Sequence, residues 1–216
     1  MQFFEYYLLY AFNWTLLLSL GLSIFRFNLK HYYYQIIVSA LLLSYVSANI
    51  QYFDKGFLTA IVQPICAILC LRLIFRIHWA HSIIIIGLSY GINIFAEFAI
   101  TWAISYFHLS TAISYMQRND ILTIGICITF FNVISCFILH KFRIGFTFIA
   151  ARQRKTFEYK GLNKQILSLS IICVILVLGS GFIIFFFEEF VLLKNVLLIG
   201  VWLMVLRVAY QKDVTE

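Results

Sequence analysis

The apolar positions of this chain fall into long unbroken blocks, not into an amphipathic repeat. Seven blocks stand out: Tyr6–Phe25, Tyr33–Ile50, Phe57–Phe75, Ile83–Phe107, Ile121–Leu139, Ile166–Phe187 and Val191–Tyr210. A helix needs about 20 apolar residues to cross the hydrocarbon core of a bilayer, and each block is close to that length. Aromatic and branched residues occupy every face, without the two-residue alternation of outer-membrane barrel strands. Inside lipid the backbone must satisfy its own hydrogen bonds, which leaves helices as the spanning element. The predicted fold is therefore all-α, a polytopic transmembrane helical bundle of about seven spans. No internal repeat or linker divides the chain, so residues 1–216 are read as one domain.

Composition supports the blocks. Hydrophobic residues make up 63 % of the chain and charged residues 12 %, about half the charged share of a soluble domain. Too little polar surface remains to cover a water-facing globule. The expected location is the cell membrane, with membrane lipids as the surrounding partner. The start, "MQFFEYYLLYAF", lacks a basic n-region and runs directly into a span, so no cleavable signal peptide is expected. The five cysteines, Cys66, Cys70, Cys127, Cys136 and Cys173, all lie inside apolar blocks. No disulfide framework is implied.

The formal net charge is +7. In a membrane chain the basic residues report topology, not nucleic-acid binding. With the N-terminus outside, the inner segments hold Arg26 and Lys30; Arg72 and Arg76; Lys141, Arg143, Arg152, Arg154, Lys155, Lys160 and Lys164; and Arg207 and Lys212. The outer segments hold only Lys55, Arg118 and Lys194, with acidic neighbours among Asp54, Asp120, Glu188 and Glu189. The bias predicts an external N-terminus and a cytoplasmic C-terminus. The longest inner segment, Lys141–Gln165, reads as a lipid-attracting basic loop or as a docking surface for a cytoplasmic signalling partner. Within it "IGFTFIAA" is apolar enough to lie in the membrane interface.

Candidate chemistry centres on Glu97, the single carboxylate in the fourth block. A charged group at mid-membrane costs about 2.5–3.5 kcal/mol on insertion scales, so it marks a functional site by default. At 1.5 Å per residue Glu97 lies roughly 15 Å from the outer end of its span. Gln63, beside Pro64 in the third span, and Asn13 in the first reach a similar depth. Asn93 is one turn below Glu97 on the same helix face. These four residues are the expected ligand-binding set, with Lys194 a long reach away. Three readings stand side by side: an interhelical hydrogen-bond cluster that only holds the bundle together, a ligand pocket open to the outside, and a proton or ion relay.

Other groups carry less. His31, His78, His81 and His140 all fall at cytoplasmic span ends, where four imidazoles could ligate a metal or haem. They equally suit interfacial anchoring, and no HExxH or Cys-x-x-Cys is present, so no metal or cofactor is expected. Cys136, one turn before His140, has the better geometry for a thiol–histidine pair. Its apolar flanks suit a neutral packing thiol better. The "LGSGF" stretch, Leu178 to Phe182, supplies small residues for close helix approach. Tyr6, Tyr7, Tyr32, Tyr33, Tyr34, Trp79, Tyr106 and Tyr210 read as interfacial belts.

Seven spans in this orientation, the "LRLIFRIHWAHS" turn (Leu71–Ser82) and the "GLSYGINIFAE" span resemble the membrane sensor region of Gram-positive, Agr-type peptide-sensing histidine kinases. In that family the last span leads into a cytoplasmic kinase. Here it leads to "RVAYQKDVTE", with no histidine box and no ATP-binding domain. The resemblance implies a non-catalytic bacterial sensor or receptor that binds a small peptide or apolar ligand from outside. The alternative is a small membrane transporter, or a substrate-binding transporter component, that uses Glu97.

Overall fold

The computed structural model describes residues 2–53, 55–106, 108, 121–142, 144–149 and 161–215. Asp54, Phe107, Arg118, Asp120, Arg143, Arg152, Arg154, Lys155 and Lys160 lie outside the described residues. So does most of the basic loop.

Among the described residues there are seven α-helices: α1 (Gln2–Ile24), α2 (Tyr33–Tyr52), α3 (Gly56–Leu73), α4 (Trp79–Ile104), α5 (Ile121–Phe142), α6 (Gly161–Phe186) and α7 (Val191–Thr215). Short 3-10 turns, Leu29–Tyr32 and Glu188–Phe190, introduce α2 and α7. No strand occurs among the described residues. Six of the helices are long and apolar enough to cross a membrane. The shorter α3 has 18 residues, or about 27 Å of helix, close to the hydrocarbon thickness of a thin bilayer. Pro64 sits within α3 and the helix continues through it.

Helix ends are set by backbone conformation. Arg26, Arg76 and Tyr106 take positive φ, at 52°, 57° and 53°, in the left-handed region where glycine is usual. At the end of α1 the Phe27 N–H bonds back to the Leu22 carbonyl at 3.1 Å. That is the closing bond of a Schellman cap with Arg26 in the glycine position.

Successive helices run antiparallel, and ring contacts mark the two ends of the bundle. Phe3 of α1 meets Tyr52 of α2 edge-on at 5.9 Å, and Phe57 of α3 meets Phe186 of α6 at 6.4 Å. At the opposite end Tyr32 stacks on Phe75 and Arg72 lies over Trp79. The N-terminus and the end of α7 therefore face opposite sides. Arg26, Lys30, Arg72, Arg76, Lys141, Lys164, Arg207 and Lys212 share the second, basic end.

Helix α4 is the hub and touches α1, α3, α5, α6 and α7. Its glycines allow the close approaches. A Cβ on Gly87 would lie 3.3 Å from the Ser170 carbonyl of α6, and one on Gly91 would lie 2.5 Å from the Trp202 ring of α7. Small residues at such crossings let backbones pack where lipid supplies no hydrophobic drive between helices. The outward faces are apolar: Phe130, Ile134 and Phe137 on α5 and Leu193, Leu197 and Met204 on α7 are exposed, as lipid-facing residues should be.

The connection after α5 departs from expectation. Of the "IGFTFIAA" stretch, residues 144–149 are described, and they fold under the basic end instead of lying along the interface. Phe148 and Ile149 are buried. The Phe146 N–H donates to the Ile24 carbonyl at 2.7 Å. Phe25, Phe146 and Phe148 form a ring triangle. Gly145, at φ 149°, comes so close to the Ile24 carbonyl that an added Cβ would sit 2.5 Å from it. The Thr147 N–H and hydroxyl both donate to Asp213 Oδ1, at 2.6 and 2.8 Å, and Lys212 Nζ lies 4.1 Å over the Phe148 ring. These contacts hold the apolar stretch against the ends of α1 and α7.

Candidate functional site

The polar residues expected to form one layer take part in separate contacts. Gln63 Nε2 donates to Ser47 Oγ at 2.7 Å, and the Trp14 indole N–H donates to the same oxygen at 3.0 Å. That node joins α1, α2 and α3. Asn13 Oδ1 accepts from the Thr129 hydroxyl at 2.7 Å and joins α1 to α5. Asn93 Oδ1 accepts from Asn132 Nδ2 at 3.0 Å and joins α4 to α5. Each contact replaces water with a protein partner, the usual role of amides between membrane helices.

Glu97 belongs to none of them. Four residues advance a helix by 400°, so Glu97 lies about 40° around the axis from Asn93. Asn93 meets α5, whereas Glu97 turns toward α6 and α7. There it lines a recess with Ile94 and Phe98 of its own helix, Ser180 and Ile184 of α6, and Lys194 and Asn195 of α7. The recess spans about 280 Å³, including the open space at its mouth. Glu97 is exposed on its rim. Lys194 and Asn195 are only 4 % and 5 % exposed.

Lys194 comes three residues into α7 and Glu97 seven residues before the end of α4. Both therefore lie within about 11 Å of the helix ends opposite the basic face. Among the described residues, no hydrogen bond or ion pair joins Glu97 to Lys194, and none reaches the Glu97 carboxylate or the Lys194 ammonium. The Asn195 Oδ1 atom is buried without a partner. Ser180 donates to the Val177 carbonyl at 2.6 Å. A carboxyl group, an amine and an amide carbonyl thus line one small space, and of these the Asn195 carbonyl oxygen is a buried acceptor without a partner, where buried polar groups are ordinarily satisfied.

Asn195 is absent from the sequence-derived set and Lys194 stood beside it only as a long reach from the seventh span, although a signal for Lys194 was present. The seventh block begins at Val191, which already places a lysine inside a span, and an ionisable residue there is as informative as Glu97.

Several of the remaining candidates make packing or capping contacts. Among the described residues no three of His, Cys, Asp and Glu form a group that could hold a metal ion. His78 caps α4 by accepting the Ala80 N–H at 3.3 Å, and its ring lies 6.1 Å from the ring of buried His81. The Cys136 thiol faces the Leu16 carbonyl at 3.8 Å and the Cys173 thiol faces the Gly87 carbonyl at 3.4 Å. The "LGSGF" stretch does provide close approach: a Cβ on Gly181 would lie 2.6 Å from the Phe57 carbonyl of α3. No family model, curated protein or solved structure matches the chain.

Proposed function

We propose that this multi-pass membrane protein is a receptor-like, non-catalytic sensor of the cell membrane. It faces its N-terminus outward and binds a small ligand in the Glu97 recess from the outer side. The observation that carries the reading is the convergence of the Glu97 carboxylate, the Lys194 ammonium and Asn195 Oδ1, each without a hydrogen-bond partner among the described residues, on a space lined by three helices. Small-molecule sites have this character: concave, mostly apolar, with a few convergent polar groups. The enclosed cavity is about 30 Å³, room for about one or two water-sized groups, and reaches about 280 Å³ only when the open space at its mouth is counted. It takes one polar terminus of a ligand, with the rest of the molecule in the mouth. Because α4 is the hub and α7 ends beside the basic loop, occupancy of the recess is transmitted to the cytoplasmic face through those two helices. A signalling partner docked on Lys141–Gln165 would read it.

The test uses purified protein in lipid nanodiscs and a thermal-shift panel of amino acids, short peptides and small apolar compounds. At least one compound should stabilise the wild type saturably. The effect should vanish in Ile184→Trp, which fills the recess from α6. Stabilisation that survives the filled recess, or no stabilisation by any compound, would refute the assignment.

A further inference from the structure

The two charged walls of the recess define a class of ligand, provided that the receptor reading holds. One wall offers a carboxylate, Glu97, and the opposite wall an ammonium, Lys194. Their charges cancel, so a ligand of net charge would leave one of them opposed and uncompensated. A purely apolar ligand would leave Lys194, 4 % exposed, sealed in without a partner, which is unfavourable for a charged group. Among the described residues no ion pair or hydrogen bond joins the two directly, so each keeps donor or acceptor capacity for a ligand. The Asn195 Oδ1 acceptor, also unpaired, requires a donor.

A neutral ligand that carries both charges meets all these demands. We propose that the recess binds the zwitterionic end of a small molecule. Its primary ammonium is held by Glu97 and the Asn195 side-chain carbonyl. Its anionic oxygens, carboxylate or phosphate, are held by the Lys194 ammonium. Ile94, Phe98 and Ile184 cover the adjoining carbon atoms. Two sources supply this chemistry: a free amino acid or peptide end arriving from outside, and the ethanolamine–phosphate headgroup of a bilayer lipid reaching the exposed Glu97 rim from the side.

Calorimetry on the full chain in nanodiscs of phosphatidylcholine and phosphatidylglycerol decides between the sources and against the rivals. The soluble probes are leucine, N-acetyl-leucine, leucinamide and hexanol. In parallel, protein extracted from mixed vesicles is examined by native mass spectrometry for retained phosphatidylethanolamine against phosphatidylcholine. The expected result has one of two forms. In the first, leucine binds and loses at least tenfold in affinity on acetylation or amidation. In the second, phosphatidylethanolamine is retained selectively. Glu97→Gln should then abolish the penalty for blocking the ammonium, and Lys194→Met the penalty for blocking the carboxylate. For a lipid ligand, each substitution should reduce its retention. If blocked leucine and hexanol bind as well as leucine, in a manner abolished by Ile184→Trp, the zwitterion assignment falls while the receptor reading stands. If neither the soluble probes nor the lipid bind, both fall.

Discussion

Gly91→Ala adds one methyl group at the contact that sets the rotation of α7. The new Cβ would sit 2.5 Å from Trp202 Cδ1 and 2.9 Å from Nε1, well inside van der Waals contact, so the indole must move. Trp202 has little freedom to do so. Its N–H donates to the Leu88 carbonyl at 3.2 Å and its ring meets Phe95 edge-on at 5.7 Å. Overpacking a well-filled site costs about 1–3 kcal/mol, and losing an interhelical hydrogen bond in a membrane costs about 0.6 kcal/mol. Alanine returns about 1 kcal/mol of helix propensity. The net destabilisation is then about 0.6–2.6 kcal/mol, combining these terms. Gly200→Ala on α7 is the control, because nothing lies within 4 Å of an added Cβ there. Reversible unfolding in mixed micelles should show the loss at Gly91 and none at Gly200. Trp202 lies two turns beyond Asn195 on α7, so ligand stabilisation should weaken in the same variant. Equal stability of Gly91→Ala and wild type would refute the claim that this glycine seats the tryptophan.

The same contacts set the outcome of other perturbations. Glu97→Leu removes a group that costs about 2.5–3.5 kcal/mol to insert when charged and has no hydrogen-bond partner to orphan among the described residues; it should insert and melt at least as well as wild type while losing ligand stabilisation in the nanodisc thermal shift. Asp213→Ala deletes the acceptor of both Thr147 bonds, which at about 0.5–1.5 kcal/mol each should speed hydrogen exchange at residues 144–149 by roughly tenfold without altering exchange in α4. Asn132→Leu removes the donor to Asn93 and should cost only about 0.6 kcal/mol in bilayer unfolding, leaving ligand binding intact because that contact lies outside the recess. Reporters placed near Lys155 or after Glu216 should read as cytoplasmic and one at Gln117 as external; a cytoplasmic signal at Gln117 would overturn the proposed orientation.

Block length carried most of the fold. The helices α2, α5 and α7 begin at Tyr33, Ile121 and Val191, where the apolar blocks begin. Both α4 and α6 start earlier than their blocks, at Trp79 and Gly161, because polar residues such as Lys164 remain helical in the interfacial layer beyond the hydrocarbon. The rotation of each helix was not legible. These spans are apolar on all sides, so no hydrophobic stripe indicates which face meets which neighbour. Depth could be counted from the sequence and azimuth could not. Asn13, Gln63, Asn93 and Glu97 were accordingly grouped by depth, whereas the packing sends the first three to Thr129, Ser47 and Asn132 and only Glu97 to the recess. Lys194 was readable as intramembrane, but its orientation toward Glu97 depends on the Gly91–Trp202 contact between helices about a hundred residues apart in sequence. The burial of Phe148 and Ile149 was hidden for the same reason: it depends on the shape of the bundle underside, not on the stretch itself.

The placement of Glu97 and Lys194 on one recess is the geometry on which the functional account depends, and charge reversal tests it most directly. Lys194→Glu puts two carboxylates on the same small space and Glu97→Lys puts two ammonium groups there; each should lower the thermal midpoint of the nanodisc-embedded protein. The double variant, Glu97→Lys with Lys194→Glu, restores one charge of each sign and should recover most of the loss, giving a strongly non-additive cycle. If the two single losses simply add in the double variant, the side chains do not share the recess and the account is wrong.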